Sequence, residues 1–498
     1  MNIQERISRL SPERRKLLEK KLNSLAAKKK QQVISAPTAP IEPAEEKEYY
    51  PLSSSQKRLY ILNLFLEYTM SLAFEVEGKP DRGRFQQAFR ELVERHEGLR
   101  TSFAEIDGKP VQRIHQKVNF EIEYYDPGTG HWAPGNGVDV KELFKHFFRP
   151  FDLSKPPLLR VGLIKLTETR HLFLVNMHHI ISDGVSRGLL AREFIRLYGG
   201  EELPELRVRY RDFSEWENRW FKPKEYKKQE KYWCGLFSGG IPLLNMPTDY
   251  PRPEIQSFEG SRLHFEIEGE MFQKLKTLAL GEGTSLYMVL LAVTNILLFR
   301  YTGQEDIVIG TIAAGRVRWE LQNLIGVFVN PLPIRNYPAN SKTFSEFLKE
   351  LKHKTLKAFE NQLYPFGDMI ETLIKKKDLS RNPLFDVMFI FRNRDIEKEE
   401  VDGLHFTRYE MDREFVAHAQ QDITFWAVEE EDRTRIEIAY CTALFKQETM
   451  EEFSTFFEKI MSSVIENKDI KIEDIKIPLY LGEAASSVVQ AEDIQFGF

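Results

Sequence analysis

Cysteine is almost missing from this chain. Only Cys234 and Cys441 occur in 498 residues, so no disulfide framework and no CxxC redox or metal site is available, and a reducing, cytoplasmic setting is expected. No apolar run reaches the length of a membrane span. The N-terminus, MNIQERISRLSPERR, is charged where a secretory signal would be apolar. Excess positive charge is missing too: 70 Lys and Arg stand against 75 Asp and Glu, the net charge is −5, and the pI is about 6.2. That balance argues against a nucleic-acid partner. The glycines of the loop 127–137 (PGTGHWAPGNG) lack phosphate-cradle spacing.

What is present is enough apolar residue (42%) for sizeable cores, in a length that allows two large domains and an appendage. Residues 1–35 carry ten Lys or Arg against three Glu, so the remainder carries a net −12. Ser11-Pro12-Glu13 is a good helix start, with Leu17, Leu18, Leu22 and Leu25 as a narrow apolar stripe. This segment reads either as a solvated helix or as a docking helix for a partner protein. Residues 36–47 (APTAPIEPAEEK) read as a linker. Strands and helices then alternate in two halves of similar mixed α/β character, 48–220 and 221–480, before an irregular tail at 481–498. Within them the spacing predicts helices at 85–95, 286–299 and 342–360. Strands are expected at 111–114, 158–166, 172–177, 306–310 and 434–442, with a turn at 250–253.

The most informative string is His178-His179-Ile180-Ile181-Ser182-Asp183-Gly184. The apolar run Leu172–Met177 before it reads as a buried strand. Val185, Leu189, Leu190, Phe194 and Leu197 after it recur at helical spacing, closed by Gly199-Gly200. Two histidines therefore leave a strand end and an acid opens the next helix. No metal site is expected, because adjacent histidines project in different directions and no HExxH accompanies them. A Ser-His-Asp hydrolase is set aside for want of a nucleophile elbow. What remains is one imidazole acting on a substrate: His titrates near neutrality and can take a proton from an amine or hydroxyl nucleophile.

Six further motifs stand in order around this one. Ser53–Tyr60 (SSSQKRLY) resembles SxAQxRLW, and Arg95–Phe103 (RHEGLRTSF) matches RHExLRTxF. Met177–Ser186 matches MHHxxxDGxS, and Tyr210–Trp216 (YRDFSEW) resembles YxDYAxW. Ile325–Asn330 (IGVFVN) matches IGxFVNT with Pro331 in place of Thr. Asn361–Phe366 (NQLYPF) resembles HQDxPFE with Gly367 in place of Glu. Asp378–Leu384 (DLSRNPL) matches RDxSRNPL. With these seven the chain resembles the condensation domains of nonribosomal peptide synthetases, from about Tyr49 to about Ile475, and most closely those joining an L-configured donor to an L-acceptor.

The resemblance implies an α/β (α+β) fold of two chloramphenicol-acetyltransferase-like lobes in a V, with the active site in a tunnel at their junction. It implies peptide-bond formation between a donor acyl thioester and an acceptor aminoacyl thioester. Both would hang on phosphopantetheine arms of an upstream and a downstream carrier protein; the domain itself, a monomer, would bind no cofactor. By match to the motif, His179 is the expected catalytic residue, as base, orienting group or oxyanion partner. His178 holds the strand end. Asp183 either pairs with an arginine, Arg100 or Arg300, or acts in catalysis. Gly184 serves close backbone approach, an N–H contact to the oxyanion, or an unusual backbone angle. Trp216, Asn330 and Arg58 are expected to line the tunnel or fix loops. The tail 491–498 (AEDIQFGF) resembles the start of an adenylation domain, so the chain is either excised from a larger synthetase or a stand-alone partner. Three other readings stay open: a starter-type acyltransferase using acyl-CoA, an epimerase on the same fold, which the seven motifs fit less well, and a non-catalytic module that recruits carriers.

Overall fold

The computed structural model describes residues 40–63, 68–126, 140–220, 224–376, 378–393, 398–409 and 419–477. The basic helix expected before residue 36, the loop at 127–137 and the tail from 481 lie outside the described residues, as do residues 36–39 of the linker.

Two six-stranded sheets organise the described chain. The first runs Lys398–Val401, Leu404–Arg408, Thr69–Glu77, Arg170–His178, Leu159–Lys165, Glu123–Tyr125. Its strands are antiparallel except for the last pair. The second runs Asn330–Asn336, Ile307–Ala313, Val387–Asn393, Ile423–Glu429, Arg433–Cys441, Gly260–Glu268. Val387–Asn393 lies parallel to both its neighbours there. A three-stranded sheet of Tyr50–Pro51, Lys109–Ile114 and Thr101–Ile106 flanks the first.

The strand Arg170–His178 is apolar without alternation because both its faces are covered. Phe173, Val175 and Met177 pack with the helices Arg82–Arg95 and Gly184–Tyr198. Leu172 and Leu174 pack on the other side with Phe144 and Phe147. In the second half the helix Leu286–Thr302 is apolar all round because it is the central core helix. Ser285 caps its start, and Gly303, at φ 69°, takes the left-handed position that ends it. Among the described residues no single helix is long and apolar enough to cross a membrane.

The division at 220/221 hides an exchange. Residues 398–408, from the second half, add two strands to the first sheet through Leu404–Arg408 on Thr69–Glu77. Leu404 and Phe406 enter the first core, and so do Leu321, Leu324, Ile325, Val327 and Phe328. The second half thus sends two segments into the first, and one of them crosses over the histidine motif. The expected turn at 250–253 is irregular chain whose Arg252 makes a two-pronged ion pair with Asp422.

Candidate active site

The histidine motif is a strand end, one 3₁₀ turn and a helix start: Arg170–His178, His179–Ile181, Gly184–Tyr198. Ile180 and Ile181 are buried in the first core and anchor the turn. His179, immediately before them, is left partly exposed.

The two imidazoles have different surroundings. His178 Nδ1 accepts from the Ile180 N–H at 3.1 Å, so the proton sits on Nε2, which faces Asn63 Oδ1 at 2.9 Å. Burial pushes this ring down to about 3, with the neighbouring His179 adding to the effect, so His178 is neutral in ordinary buffers. Both its nitrogens are used inside the fold.

His179 is held by its backbone N–H on Tyr68 O (2.7 Å) and by its ring Nδ1 at 2.7 Å from Ser182 O. A carbonyl can only accept, so Nδ1 carries the hydrogen and Nε2 carries the lone pair. Nε2 has no hydrogen-bond partner among the described residues. Burial lowers the basicity of His179, and the Arg58 guanidinium lowers it further; the Asp183 carboxylate acts in the opposite direction. The geometry is that of a neutral, oriented imidazole with one open base position.

Asp183 is fully buried. It caps the motif helix through the Ser186 N–H (2.8 Å) and accepts the Phe328 N–H (3.1 Å). Its ion-pair partner is Arg316, with Nη2 3.1 Å from Oδ1. This corrects the expectation of Arg100 or Arg300. Arg100 donates to His115 O and lies 3.7 Å from Glu97, while Arg300 donates to Ile477 O. Arg316 reaches the site because the crossing segment lies on the motif. Its guanidinium also bonds Leu321 O, Leu324 O and Ser186 Oγ, and sits 4.1 Å from the centre of the Phe328 ring.

The sequence reading missed that Gly184-Val185-Ser186-Arg187-Gly188 does spell GxSxG. The geometry still excludes a nucleophile. Ser186 lies inside the helix, fully buried, with its hydroxyl donating to Gly326 O (2.7 Å) and accepting from the Gly326 N–H and Arg316. Gly184 has no left-handed φ, which removes the unusual-angle reading. A Cβ there would meet only Arg392 Nε, at 3.9 Å. Its N–H opens the helix and has no acceptor among the described residues.

The residues of the other motifs are engaged as follows. Asn330 bonds Gln362 O and Tyr364 O and accepts from the Phe366 N–H, clamping the sixth motif. Trp216 is buried in the first core. Arg58 stands on the helix Ser54–Leu62, with its guanidinium 5.9 Å from the centre of the Phe366 ring. His96 Nε2 meets Glu193 at 2.6 Å. Gly367 has nothing within 4 Å of a built Cβ, so the side chain absent there leaves open space. No group of three or more His, Cys, Asp or Glu among the described residues could hold a metal ion.

Two six-stranded sheets frame a histidine at a strand end with its base position open. Residues 46–482 match the Condensation domain family, and the chain belongs to it: it is a condensation domain of the nonribosomal peptide synthetase kind. It is 45% identical to gramicidin S synthase 2 of Brevibacillus brevis over 439 residues, which cover 87% of this chain and 10% of that protein. It is 43% identical to bacitracin synthase 3 of Bacillus licheniformis over 440 residues, 88% of this chain and 7% of that protein. The chain therefore spans about a tenth or less of these two curated relatives. Among solved structures, the X-domain from teicoplanin biosynthesis matches with a TM-score of 0.79 at 23% identity, over 88% of this chain and all of that one. The condensation domain of the monacolin K polyketide synthase MokA matches at 0.76 and 18%, over 86% of this chain and all of that one. At these identities the structures speak for the fold.

Proposed function

We propose that this chain joins a donor acyl thioester to the α-amine of an acceptor aminoacyl thioester. The two substrates arrive on phosphopantetheine arms of two carrier proteins, from opposite mouths of a tunnel between two lobes set in a V. The observation that carries the reading is the His179 tautomer: Nδ1–H is tied to Ser182 O, and Nε2 is left as an open base in a partly exposed position. The amine nitrogen attacks the thioester carbonyl carbon, the C–N bond forms and the C–S bond breaks. The proton lost by the amine passes through His179 Nε2 to the departing thiolate. The Gly184 N–H, at a helix start beside His179, suits the oxyanion formed on the way.

A thioester is already activated, so much of the acceleration comes from holding two tethered reactants in line, where effective molarities reach about 10⁵ M or more. An adjacent adenylation domain would load the acceptor carrier. The test is reconstitution with donor-loaded and acceptor-loaded carriers, read by mass spectrometry of the acceptor carrier. Transfer of the donor acyl group onto the acceptor supports the reading. Equal turnover with free acyl-CoA as donor makes the chain a starter-type acyltransferase instead, and no transfer with either donor leaves a recruitment module.

A further inference from the structure

Arg58 is a charge without a partner. Its guanidinium makes no hydrogen bond and no ion pair among the described residues. The other half-buried or buried arginines near the site are all engaged: Arg316 on Asp183, Arg100 on His115 O, and Arg211 on the Tyr50 hydroxyl. A guanidinium cannot shed its proton in a protein, so an unmatched one that is partly withdrawn from water is costly to keep. Arg58 stands where the two halves meet, on the helix Ser54–Leu62 that packs on the 3₁₀ turn of His179 and facing Phe366 of the second half.

We propose that Arg58 is a positioning residue for the condensation reaction, acting through its charge to disfavour protonation of both His179 and the acceptor amine beside it. The inference rests on the function proposed above. An ammonium cannot attack a thioester and an imidazolium cannot accept its proton, so both groups must be free bases together. Desolvation achieves part of this, and a nearby fixed cation adds to it at the same point.

Burial of the His179 ring disfavours its protonation, Arg58 adds to that, and the Asp183 carboxylate opposes it. From the motif itself His178 is neutral. Asp183 is matched by Arg316 from the crossing segment and by two N–H donors. Tyr68, whose carbonyl holds His179, is itself pushed up by burial and stays uncharged. Arg392 lies across Gly184, over the Trp426 ring, and has the same sign as Arg58.

The experiment titrates His179 by NMR on protein labelled in its histidines, with the His179 signal assigned from a His179→Asn sample. In Arg58→Gln the His179 midpoint rises by about one pH unit, a tenfold gain in proton affinity; in Arg58→Lys, which keeps the charge, it stays near the parent value. The acid limb of kcat in the carrier assay moves up with it, and the rate recovers at high pH. Arg58→Met, apolar and of similar length, replaces the Gln variant if that one does not fold. An unmoved midpoint in the neutral variants, or a rate lost equally at every pH, overturns the proposal. The titration needs no turnover, so failure of the carrier assay with the parent chain counts against the proposed function and leaves the role of Arg58 to be decided by the midpoint.

Discussion

Asp183 and Arg316, 133 residues apart in sequence, meet as a buried ion pair at 3.1 Å, and the pair fastens the crossing segment onto the histidine motif. Removing either partner leaves an uncompensated buried charge, which typically costs about 3–5 kcal/mol. Arg316→Met and Asp183→Ala are therefore both expected to unfold at lower denaturant. The double variant should lose clearly less than the two losses summed, because it buries no orphan charge. Denaturant titration of the four proteins measures this. An Asp183→Ala protein of unchanged stability but no activity would instead move Asp183 from structure to chemistry.

How much of this was legible beforehand follows from separation along the chain. The strand–turn–helix around His179 is local, and its apolar run and helical spacing predicted it. The partner of Asp183 is a tertiary fact: Arg316 sits in no motif, and its selection depends on a crossing that no periodicity encodes. The same holds for residues 398–408, whose pairing with Thr69–Glu77 joins segments more than 300 positions apart. The GxSxG letters carried the opposite lesson, because a five-letter match says nothing about whether its serine stands on a turn or inside a helix.

Gly326 is fixed by a neighbouring ring rather than by its backbone angle. A Cβ there would stand 2.0 Å from the Tyr210 ring. That ring cannot retreat cheaply. Its hydroxyl donates to Val327 O at 2.6 Å and meets Ser53 Oγ at 2.8 Å, and Phe213 and Phe328 pack on it. Gly326→Ala is expected to lose about 1–3 kcal/mol, the usual range for overpacking. In a Tyr210→Ala background the same change should cost much less, which a comparison of melting curves would reveal.

His178 makes stability depend on pH with a definite sign. Its folded value lies near 3 against about 6.5 unfolded, so between those limits the unfolded chain binds the proton and the folded chain does not. Stability is complete above pH 6.5 and falls as the pH drops towards 3, by up to about 5 kcal/mol from this residue. His178→Gln should flatten the acid side of a plot of melting temperature against pH. His96, also held down by burial, would keep part of the slope. An acid limb of unchanged steepness would rule out the buried neutral imidazole as its source.

His179→Asn is the sharpest test of the reaction itself. An asparagine can retain a donor towards Ser182 O, so the turn should keep its shape, yet it has no lone pair of imidazole basicity where Nε2 stood. The melting temperature should stay within a degree or two of the parent, since the ring is partly exposed and only one of its nitrogens is engaged. Turnover with loaded carriers should fall by roughly 10²–10⁴, the usual contribution of a general base. A loss of tenfold or less would assign most of the acceleration to the tethering of the two substrates, with His179 reduced to an orienting hydrogen bond. Full activity in the variant would remove His179 from the mechanism altogether.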